Sequence, residues 1–290
     1  MKSPFTRKRK VDRLGYWKDK AVILTGASAG LGLELGKALL RQGATLVAVA
    51  RNAQRLREAY CEFPAAHCFP ADVTRDGDMQ QVAAATIERL RRIDAVIACA
   101  GKSDRGRVED LTAQRAAQWL DLNFLGAVRS VQPALKHLLK SRGHVVLIGS
   151  LASKTASPYL GAYPASKFPL AAYAQQLRLE LGGRGLHTLL VCPGPLARAD
   201  AGARYDRQAS DLPPEARRPG GGARLSGIDP EWLATAVLRA CRKRRAELVV
   251  PAKARLLFVL QQVRATWGDW LVKQMTTNPH HPATGGLPKT

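Results

Sequence analysis

Short apolar runs alternate along the chain with longer segments whose apolar residues recur every three or four positions. Runs that are apolar at successive positions fit strands buried on both faces, and the longer segments fit helices that cover a sheet. The predicted strands are residues 21–25, 45–50, 66–70, 94–98, 144–148, 187–192 and 247–250. The predicted helices are residues 31–42, a stretch around 52–61, 76–91, 112–140, 163–181 and 230–244.

This alternation predicts an α/β protein: a Rossmann-type, doubly wound parallel sheet of about seven strands with helices on both faces. The expected catalytic domain spans residues 21–251 and follows a basic segment, residues 1–20. Residues 199–226 have no clear periodicity and are rich in proline and glycine. We expect an active-site lid or a disordered loop there.

The end of the chain predicts one amphipathic helix at residues 252–276, with apolar residues at steps of three and four. Trp267 and Trp270, with basic residues around them, suit contact with an anionic membrane surface. Packing on the domain or on a partner subunit is the commoner fate of such a helix, so both alternatives stay open. Residues 277–290, which include His280 and His281, are expected to be a tail without a metal site.

The charge balance is strongly basic, with 45 Lys and Arg residues against 23 Asp and Glu residues and a net charge of +22. A surface of this kind favours phosphates, acidic lipids or nucleic acid, and it is also compatible with simple solvation. We find no zinc-finger spacing and no basic region followed by heptads, so a nucleic-acid-binding function is not expected.

Five widely scattered cysteines form no Cys-x-x-Cys pair, so neither a metal site nor a redox motif is expected. This cysteine usage is typical of a reducing compartment, and we expect a cytoplasmic protein that could associate peripherally with membranes. The basic start is not followed by an apolar segment of the signal-peptide kind, and no run of 18 apolar residues predicts a spanning helix.

A glycine-rich turn, Thr-Gly-Ala-Ser-Ala-Gly-Leu-Gly at residues 25–32, directly follows the first predicted strand and opens the first helix. Such a turn lets the backbone approach a pyrophosphate and directs N–H groups of a helix N-terminus at it. A glycine-rich turn can also be merely structural, but its place in a βαβ unit favours dinucleotide binding. The predicted contacts are Gly26, Ser28, Gly30, Leu31 and Gly32.

Cofactor preference is indicated by the residues after the second predicted strand. An Asp or Glu there would hold the ribose 2′-hydroxyl of NAD, whereas an Arg accommodates the 2′-phosphate of NADP. This chain has Arg51 and Asn52 with no carboxylate nearby, and Arg55 lies one helical turn further on. We therefore expect NADP(H) to be favoured over NAD(H).

Candidate acid/base chemistry is carried by Tyr163 and Lys167, which lie four residues apart on a predicted helix and so project together. A nearby ammonium favours the phenolate, so Lys167 is expected to lower the pKa of Tyr163 toward a useful range. Ser150, at the end of a predicted strand, could hydrogen-bond the substrate oxygen. Taken singly, the pair could be a surface pair and the serine a helix cap.

In this order the motifs resemble the short-chain dehydrogenase/reductase family, over residues 21 to about 251. The matching residues are the turn at 25–32, Asp72, Cys99, Ala100, Gly101, Asn123, Ser150, the Tyr-Pro-Ala-Ser-Lys run at 163–167, Pro193 and Gly194. The resemblance points to NADP-preferring members with a C-terminal amphipathic extension.

The resemblance implies a role for each residue of a catalytic tetrad. Tyr163 would transfer the proton, and Lys167 would lower its pKa and bind the nicotinamide ribose. Ser150 would orient the substrate oxygen, while Asn123 would hold a water in the proton relay, although a buried amide bonded to backbone is an equally compatible interpretation of Asn123. The implied cofactor groove includes Asp72 at the adenine, together with Val73, Cys99, Ala100, Gly101, Pro193 and Gly194.

Two positions depart from the family's pattern. Cys99 stands where the family commonly has Asn, and it keeps the small volume but is a poor hydrogen-bond partner. Arg198 stands where the family often has a Thr after Pro193 and Gly194. Its side chain could reach the cofactor phosphates, an acidic substrate or solvent, and the sequence does not decide among these.

The resulting functional hypothesis is hydride transfer between NADP(H) and a carbonyl or secondary alcohol, with Tyr163 as the general acid/base. No motif encodes the substrate; the C-terminal amphipathic helix suggests an apolar or lipid-like ketone, and a homodimer or homotetramer is expected. The alternatives are a dinucleotide-binding regulatory protein without turnover and, less favoured, a nucleic-acid binder that uses the basic ends.

Overall fold

The computed structural model describes residues 15–198, 205–206, 208–218, 220, 222 and 225–276. Most of the basic segment expected at 1–20, part of the lid expected at 199–226, and the tail with His280 and His281 lie outside the described residues. Among the described residues, no helix has the length and apolar character needed to cross a bilayer.

The central element is a sheet in which every neighbouring pair of strands is parallel. The strands are β1 (Ala21–Thr25), β2 (Thr45–Ala50), β3 (Ala66–Pro70), β4 (Ala95–Ala98), β5 (His144–Ile148), β6 (His187–Pro193) and β7 (Glu247–Val250). Their spatial order is β3-β2-β1-β4-β5-β6-β7. The expected seven-stranded Rossmann-type sheet is confirmed, with strand ends within one residue of the predicted ones.

Helices cover both faces of this sheet because its strands are apolar on both sides. The helices are α1 (Gly30–Arg41), α2 (Ala53–Tyr60), α3 (Asp78–Leu90), α4 (Ala113–Leu120), α5 (Gly126–Val131), α6 (Leu135–Ser141), α7 (Tyr163–Leu181), α8 (Pro214–Arg217), α9 (Pro230–Arg242), α10 (Ala254–Val263) and α11 (Ala265–Thr276).

Two hydrophobic cores form, one on each side of the sheet. In β1, Val22 and Leu24 point into the core shared with α1, α2 and α9, whereas Ile23 points into the core shared with α3 and α7. Both cores consist of residues with almost no exposed surface, and burial of this apolar area is the main force that holds the layers together. The rigid sheet carries the loops at its carboxyl edge.

The helical region expected over 112–140 is divided among three α-helices. A π-helical turn at Asp121–Leu125 separates α4 from α5, and a 3-10 turn at Gln132–Ala134 separates α5 from α6. Pro133 lies in that 3-10 turn, where it lacks the N–H that a continuous helix would use.

At the C-terminal end the structure has two helices where one was expected at 252–276. Arg264 is extended, with φ −151° and ψ 112°, and it separates α10 from α11. Gly268 then lies directly against Gln261, where a Cβ at residue 268 would come within 2.6 Å of the Gln261 side chain. The missing side chain at Gly268 therefore allows α11 to pack closely on α10.

Candidate active site

Loops that follow the carboxyl ends of the strands enclose a cavity of about 1790 Å³. Ligands of open parallel sheets bind at this edge. All of the predicted cofactor residues and three members of the predicted tetrad line it: Gly26, Ser28, Gly30, Leu31, Gly32, Arg51, Asn52, Asp72, Val73, Cys99, Ala100, Gly101, Ser150, Tyr163, Lys167, Pro193 and Gly194. The fourth member, Asn123, is buried behind the wall.

Two glycines of the glycine-rich turn lie so close to neighbouring main-chain atoms that neither could carry a side chain. A Cβ at Gly26, whose φ is +68°, would lie 2.9 Å from the main chain of Ala100, and a Cβ at Gly32 would collide with the carbonyl oxygen of Gly26. The turn is thus pressed between β4 and the start of α1. The main chain of the turn borders the cavity at the N-terminus of a helix, and such an arrangement fits the pyrophosphate of a dinucleotide.

The far end of the cavity, beside the ends of β2 and β3, combines arginines with an acidic residue. Arg51 lies 3.8 Å from Asp72, and Arg55 and Arg75 also line the wall. One Asp72 oxygen accepts hydrogen bonds from the main-chain N–H and the hydroxyl of Thr74, at 3.0 and 2.8 Å. Although burial opposes ionisation, these bonds and the arginines hold the pKa of Asp72 below its ordinary value.

Lys167 and Asn123 approach Gly101 from two directions. A Cβ at Gly101 would lie 2.7 Å from Asn123 Oδ1 and 3.2 Å from Lys167 Nζ. Asn123 exchanges hydrogen bonds with the main chain of Lys102 and donates to Ser166 Oγ on α7. Asn123 therefore ties the loop after β4 to the helix that carries Tyr163 and Lys167.

Ser150 is the residue that caps the 3-10 turn Leu151–Ser153 after β5. Its hydroxyl accepts a hydrogen bond from the main-chain N–H of Ala152 at 3.1 Å and also hydrogen-bonds the Tyr163 side chain. The cap and the contact with Tyr163 coexist, so the two interpretations weighed for Ser150 are both present in one residue.

The pKa of Tyr163 is shifted in the direction opposite to the one expected from the sequence. Burial raises the pKa of Tyr163, and the groups that oppose this rise are the hydrogen bond from Ser150 and the charge of Arg105. The ammonium of Lys167 instead donates to the carbonyl oxygen of Ile148 at 3.0 Å. Desolvation outweighs the neighbouring charges in this structure, and the expected lowering of the phenol pKa by Lys167 stays a prediction.

Burial also governs the other ionisable groups beside Tyr163. It lowers the pKa of Lys167 to about 8 and raises the pKa of Cys99 to about 11. At neutral pH Lys167 remains mostly an ammonium and Cys99 remains a thiol. The cavity around Tyr163 is thus a desolvated site with a net positive charge.

The substrate side of the cavity is lined by residues that the sequence did not single out. Arg105, which is 2% exposed, stacks on the ring of Tyr205 with 3.7 Å from its Cζ to the ring centre. Its guanidinium donates to the main-chain oxygens of Asp104, Ala216 and Arg218. This buried arginine therefore anchors residues 205–218, within the expected lid, to the loop after β4.

The C-terminal helices α10 and α11 close the remaining side with an apolar wall. Its members come from both helices: Leu256, Leu257, Leu271, Val272 and Met275. Arg105 carried no signal in the sequence because it belongs to no motif. The amphipathic pattern over 252–276 indicated the apolar residues of the wall, but not that two helices fold back to line the cavity.

Comparisons with known proteins agree with this geometry. The family model described as short chain dehydrogenase matches residues 20–209. An uncharacterized oxidoreductase of Staphylococcus epidermidis is 32% identical over 202 residues, covering 67% of this chain and 88% of that protein. L-fucose dehydrogenase of Rattus norvegicus is 30% identical over 204 residues, covering 69% and 76% respectively.

Among solved structures, a short-chain dehydrogenase from Streptomyces avermitilis superposes with a TM-score of 0.74. It is 24% identical, and the match covers 89% of this chain and 98% of that one, which supports the fold. The family uses NAD(P) cofactors and acts on small molecules. With the matching family model, the two oxidoreductase relatives and the shared fold, this chain belongs to the short-chain dehydrogenase family of oxidoreductases.

Proposed function

We propose that the protein transfers hydride between NADP(H) and a carbonyl or secondary alcohol, with Tyr163 as the general acid/base. The observation that carries this proposal is the single cavity that joins the glycine-rich turn to Ser150, Tyr163 and Lys167. The bound nicotinamide would supply the hydride for reduction or accept it for oxidation. The chain's own residues would bind the cofactor, orient the substrate and protonate the substrate oxygen.

A carbonyl oxygen beside Ser150 and Tyr163 would accept hydrogen bonds from both hydroxyls while negative charge develops on it. Tyr163 would then give its proton to that oxygen, and the carbonyl would become an alcohol; oxidation runs the same step backwards. The raised pKa keeps Tyr163 protonated at neutral pH, which is the form that reduction requires. The ammonium of Lys167 adds positive charge to the same site.

A Tyr163→Phe variant tests the catalytic part, because it removes the proton and keeps the ring. NADPH oxidation with a panel of ketones should fall by about 10²- to 10⁴-fold, while the affinity for NADPH stays near that of the wild type. Tyr173→Phe, on the same helix but packed against Phe124, is the matched control and should keep full activity. Equal rates for Tyr163→Phe and wild type would refute the acid/base role, and NADPH binding without turnover by the wild type would favour a regulatory protein.

The preference for NADP(H) is supported by three arginines, Arg51, Arg55 and Arg75, that border the cavity at the ends of β2 and β3. A 2′-phosphate there would gain charge-assisted hydrogen bonds. We expect Arg51→Asp to shift the ratio of kcat/KM for NADPH over NADH toward NADH by roughly 10- to 100-fold. Arg57→Asp on α2 makes the same change of charge at an exposed position outside the cavity, and it should leave the ratio unchanged.

The apolar wall of α10 and α11 supports an apolar substrate, because burial of apolar ligand surface is the main source of affinity in such pockets. Longer alkyl ketones should therefore bind more tightly than short ones, and a Leu257→Asp variant should remove this dependence on chain length. A KM that is independent of alkyl length in the wild type would contradict the assignment.

The outer side of the same two helices supports contact with an anionic membrane surface. It exposes an apolar group of Val259, Val263, Trp267 and Trp270, and Leu256 lies at the rim between this face and the cavity. Arg255 and Arg264 lie among them and supply charge for acidic headgroups. The protein should float with vesicles that contain phosphatidylserine, and a Trp267→Ser/Trp270→Ser variant should not. Wild-type protein that fails to float at low salt, or that buries this face in a dimer, would contradict the contact.

A further inference from the structure

Arg198 follows β6 on a length of chain that is fixed in place. The N–H of Ala197 donates to the carbonyl oxygen of Ile228 at 2.8 Å, and the N–H of Ile228 donates to Pro195 at 2.8 Å. This bridge holds the main chain up to the residue before Arg198. The side chain of Arg198 therefore extends from a defined point on the wall of the cavity.

The guanidinium of Arg198 lies over the glycine-rich turn. A Cβ at Gly30 would be 3.2 Å from Nη2 of Arg198 and 3.8 Å from its Cζ. The absence of a side chain at Gly30 thus lets the guanidinium approach the turn closely, at the wall of the cavity. On the other side, the charges of Arg198 and Lys167 both act on the thiol of Cys99, so they border the same part of the groove.

No ion pair engages Arg198 within the part of the chain that the structure describes. Gly30 is the first residue of α1, so a cation lies beside the positive end of a helix dipole. The guanidinium and the N-terminus of α1 are both positive, so they repel each other at this distance. An anion that contacts both would be attracted by both.

We propose that Arg198 binds the pyrophosphate of the cofactor, beside the N–H groups of the glycine-rich turn. This inference rests on the proposed function, since it concerns how this chain would hold a dinucleotide. It gives the departure at residue 198 a role: a cation takes a place where the family often has a threonine. Because NAD and NADP share the pyrophosphate, Arg198 would strengthen the binding of both, whereas Arg51 would discriminate between them.

The test is binding rather than turnover. Affinities of the full chain for NADPH, ADP and 2′-AMP are measured by calorimetry or by displacement of NADPH fluorescence, for wild type, Arg198→Gln and Arg198→Lys. Arg198→Gln should weaken NADPH and ADP by about 10- to 100-fold and leave 2′-AMP, which has no pyrophosphate, within about 2-fold. Arg198→Lys should recover part of the loss, because it keeps the charge but not the fork of donors.

Arg184→Gln serves as the control for net charge, since it removes one positive charge from an exposed residue after α7. It should bind all three ligands as the wild type does. If Arg198→Gln binds NADPH as tightly as Arg184→Gln, or loses 2′-AMP as strongly as ADP, Arg198 is not a pyrophosphate ligand. If the wild type binds no nicotinamide dinucleotide at all, the proposed function fails, and that outcome is distinct from a failure of Arg198 alone.

Discussion

The two ends of strand β5 carry polar side chains in different surroundings, a buried histidine at one end and a half-buried serine at the other. His144 begins the strand at the amino edge of the sheet, and Ser150 follows it at the carboxyl edge. At the amino edge every nitrogen of the histidine pair has a partner within the protein. At the carboxyl edge the hydroxyls of Ser150 and Tyr163 border an open cavity. The two ends thus differ in what their polar atoms face: the histidine pair faces only the protein, whereas the two hydroxyls face a cavity that a ligand can enter.

The amino edge contains an uninterrupted chain of hydrogen bonds. His187 Nε2 lies 2.8 Å from the carbonyl oxygen of Arg245, so this nitrogen carries the proton and donates. In the neutral pair, His144 Nδ1 then donates to His187 Nδ1 at 2.8 Å, and His144 Nε2 accepts from the Tyr16 hydroxyl at 2.7 Å. This directionality fixes both tautomers, and the cluster joins the N-terminal residues to β5 and β6.

Of the substitutions at the two ends of β5, Ser150→Ala has the largest expected effect. Removal of the hydroxyl should lower kcat/KM by about 10²- to 10³-fold, because the developing charge on the substrate oxygen loses a hydrogen bond. The free energy of unfolding should change by less than about 1 kcal/mol, since only the cap of a short turn is lost. Steady-state kinetics and urea unfolding of the same preparation measure both. A variant that unfolds readily but turns over normally would reverse this assignment.

At the amino edge, His144→Phe should have the opposite profile. It leaves the Tyr16 hydroxyl and His187 Nδ1 without their partner, and we expect a loss of about 1–3 kcal/mol in the free energy of unfolding. Because the candidate active site lies at the other end of the strand, kcat/KM should stay within about 2-fold of the wild-type value. His137→Phe on α6, outside this cluster, is the matched control for the substitution. Loss of activity without loss of stability in His144→Phe would contradict the comparison.

The smallest effect is a dependence of stability on pH. Burial, with the charges of His187, Arg244 and Lys20, lowers the pKa of His144 from 6.5 to about 3. Between these two pH values His144 binds a proton in the unfolded chain but not in the folded chain. The contribution of His144 to stability is therefore complete above about pH 6.5 and is lost as the pH falls. From pH 6.5 to 5.5 this amounts to roughly 1 kcal/mol. Unfolding curves at both values should show a smaller difference for His144→Phe.

The sheet and the residues that the structure gathers around the cavity could be predicted from the sequence because their signals are local. Seven short apolar runs mark the strands, and the turn at 25–32 and the Tyr163–Lys167 pair are motifs with fixed spacing. The electrostatics of Tyr163 could not be predicted in this way, since its pKa depends on burial by residues distant in sequence. The direction of Arg198 likewise depends on a bridge to Ile228 that no spacing reveals.

The substrate side was the least predictable region for a similar reason. A helical pattern over 252–276 indicates an apolar face but not the break at Arg264, where the chain reverses to build the wall of the cavity. Arg105 lies only four residues after Gly101, yet two of its partners, Ala216 and Arg218, are more than 100 residues away. Contacts of that kind are created by the fold and have no counterpart in local pattern.

The way in which Arg105 holds residues 205–218 has a consequence for divergence among related chains. Its bonds to Ala216 and Arg218 end on main-chain oxygens, which every amino acid possesses. Replacement of the side chains at those positions would leave the attachment intact. A new substrate specificity could therefore arise by exchanging the side chains at 216 and 218, while the bonds from Arg105 to the main chain and its stacking on Tyr205 keep the course of this stretch over the pocket.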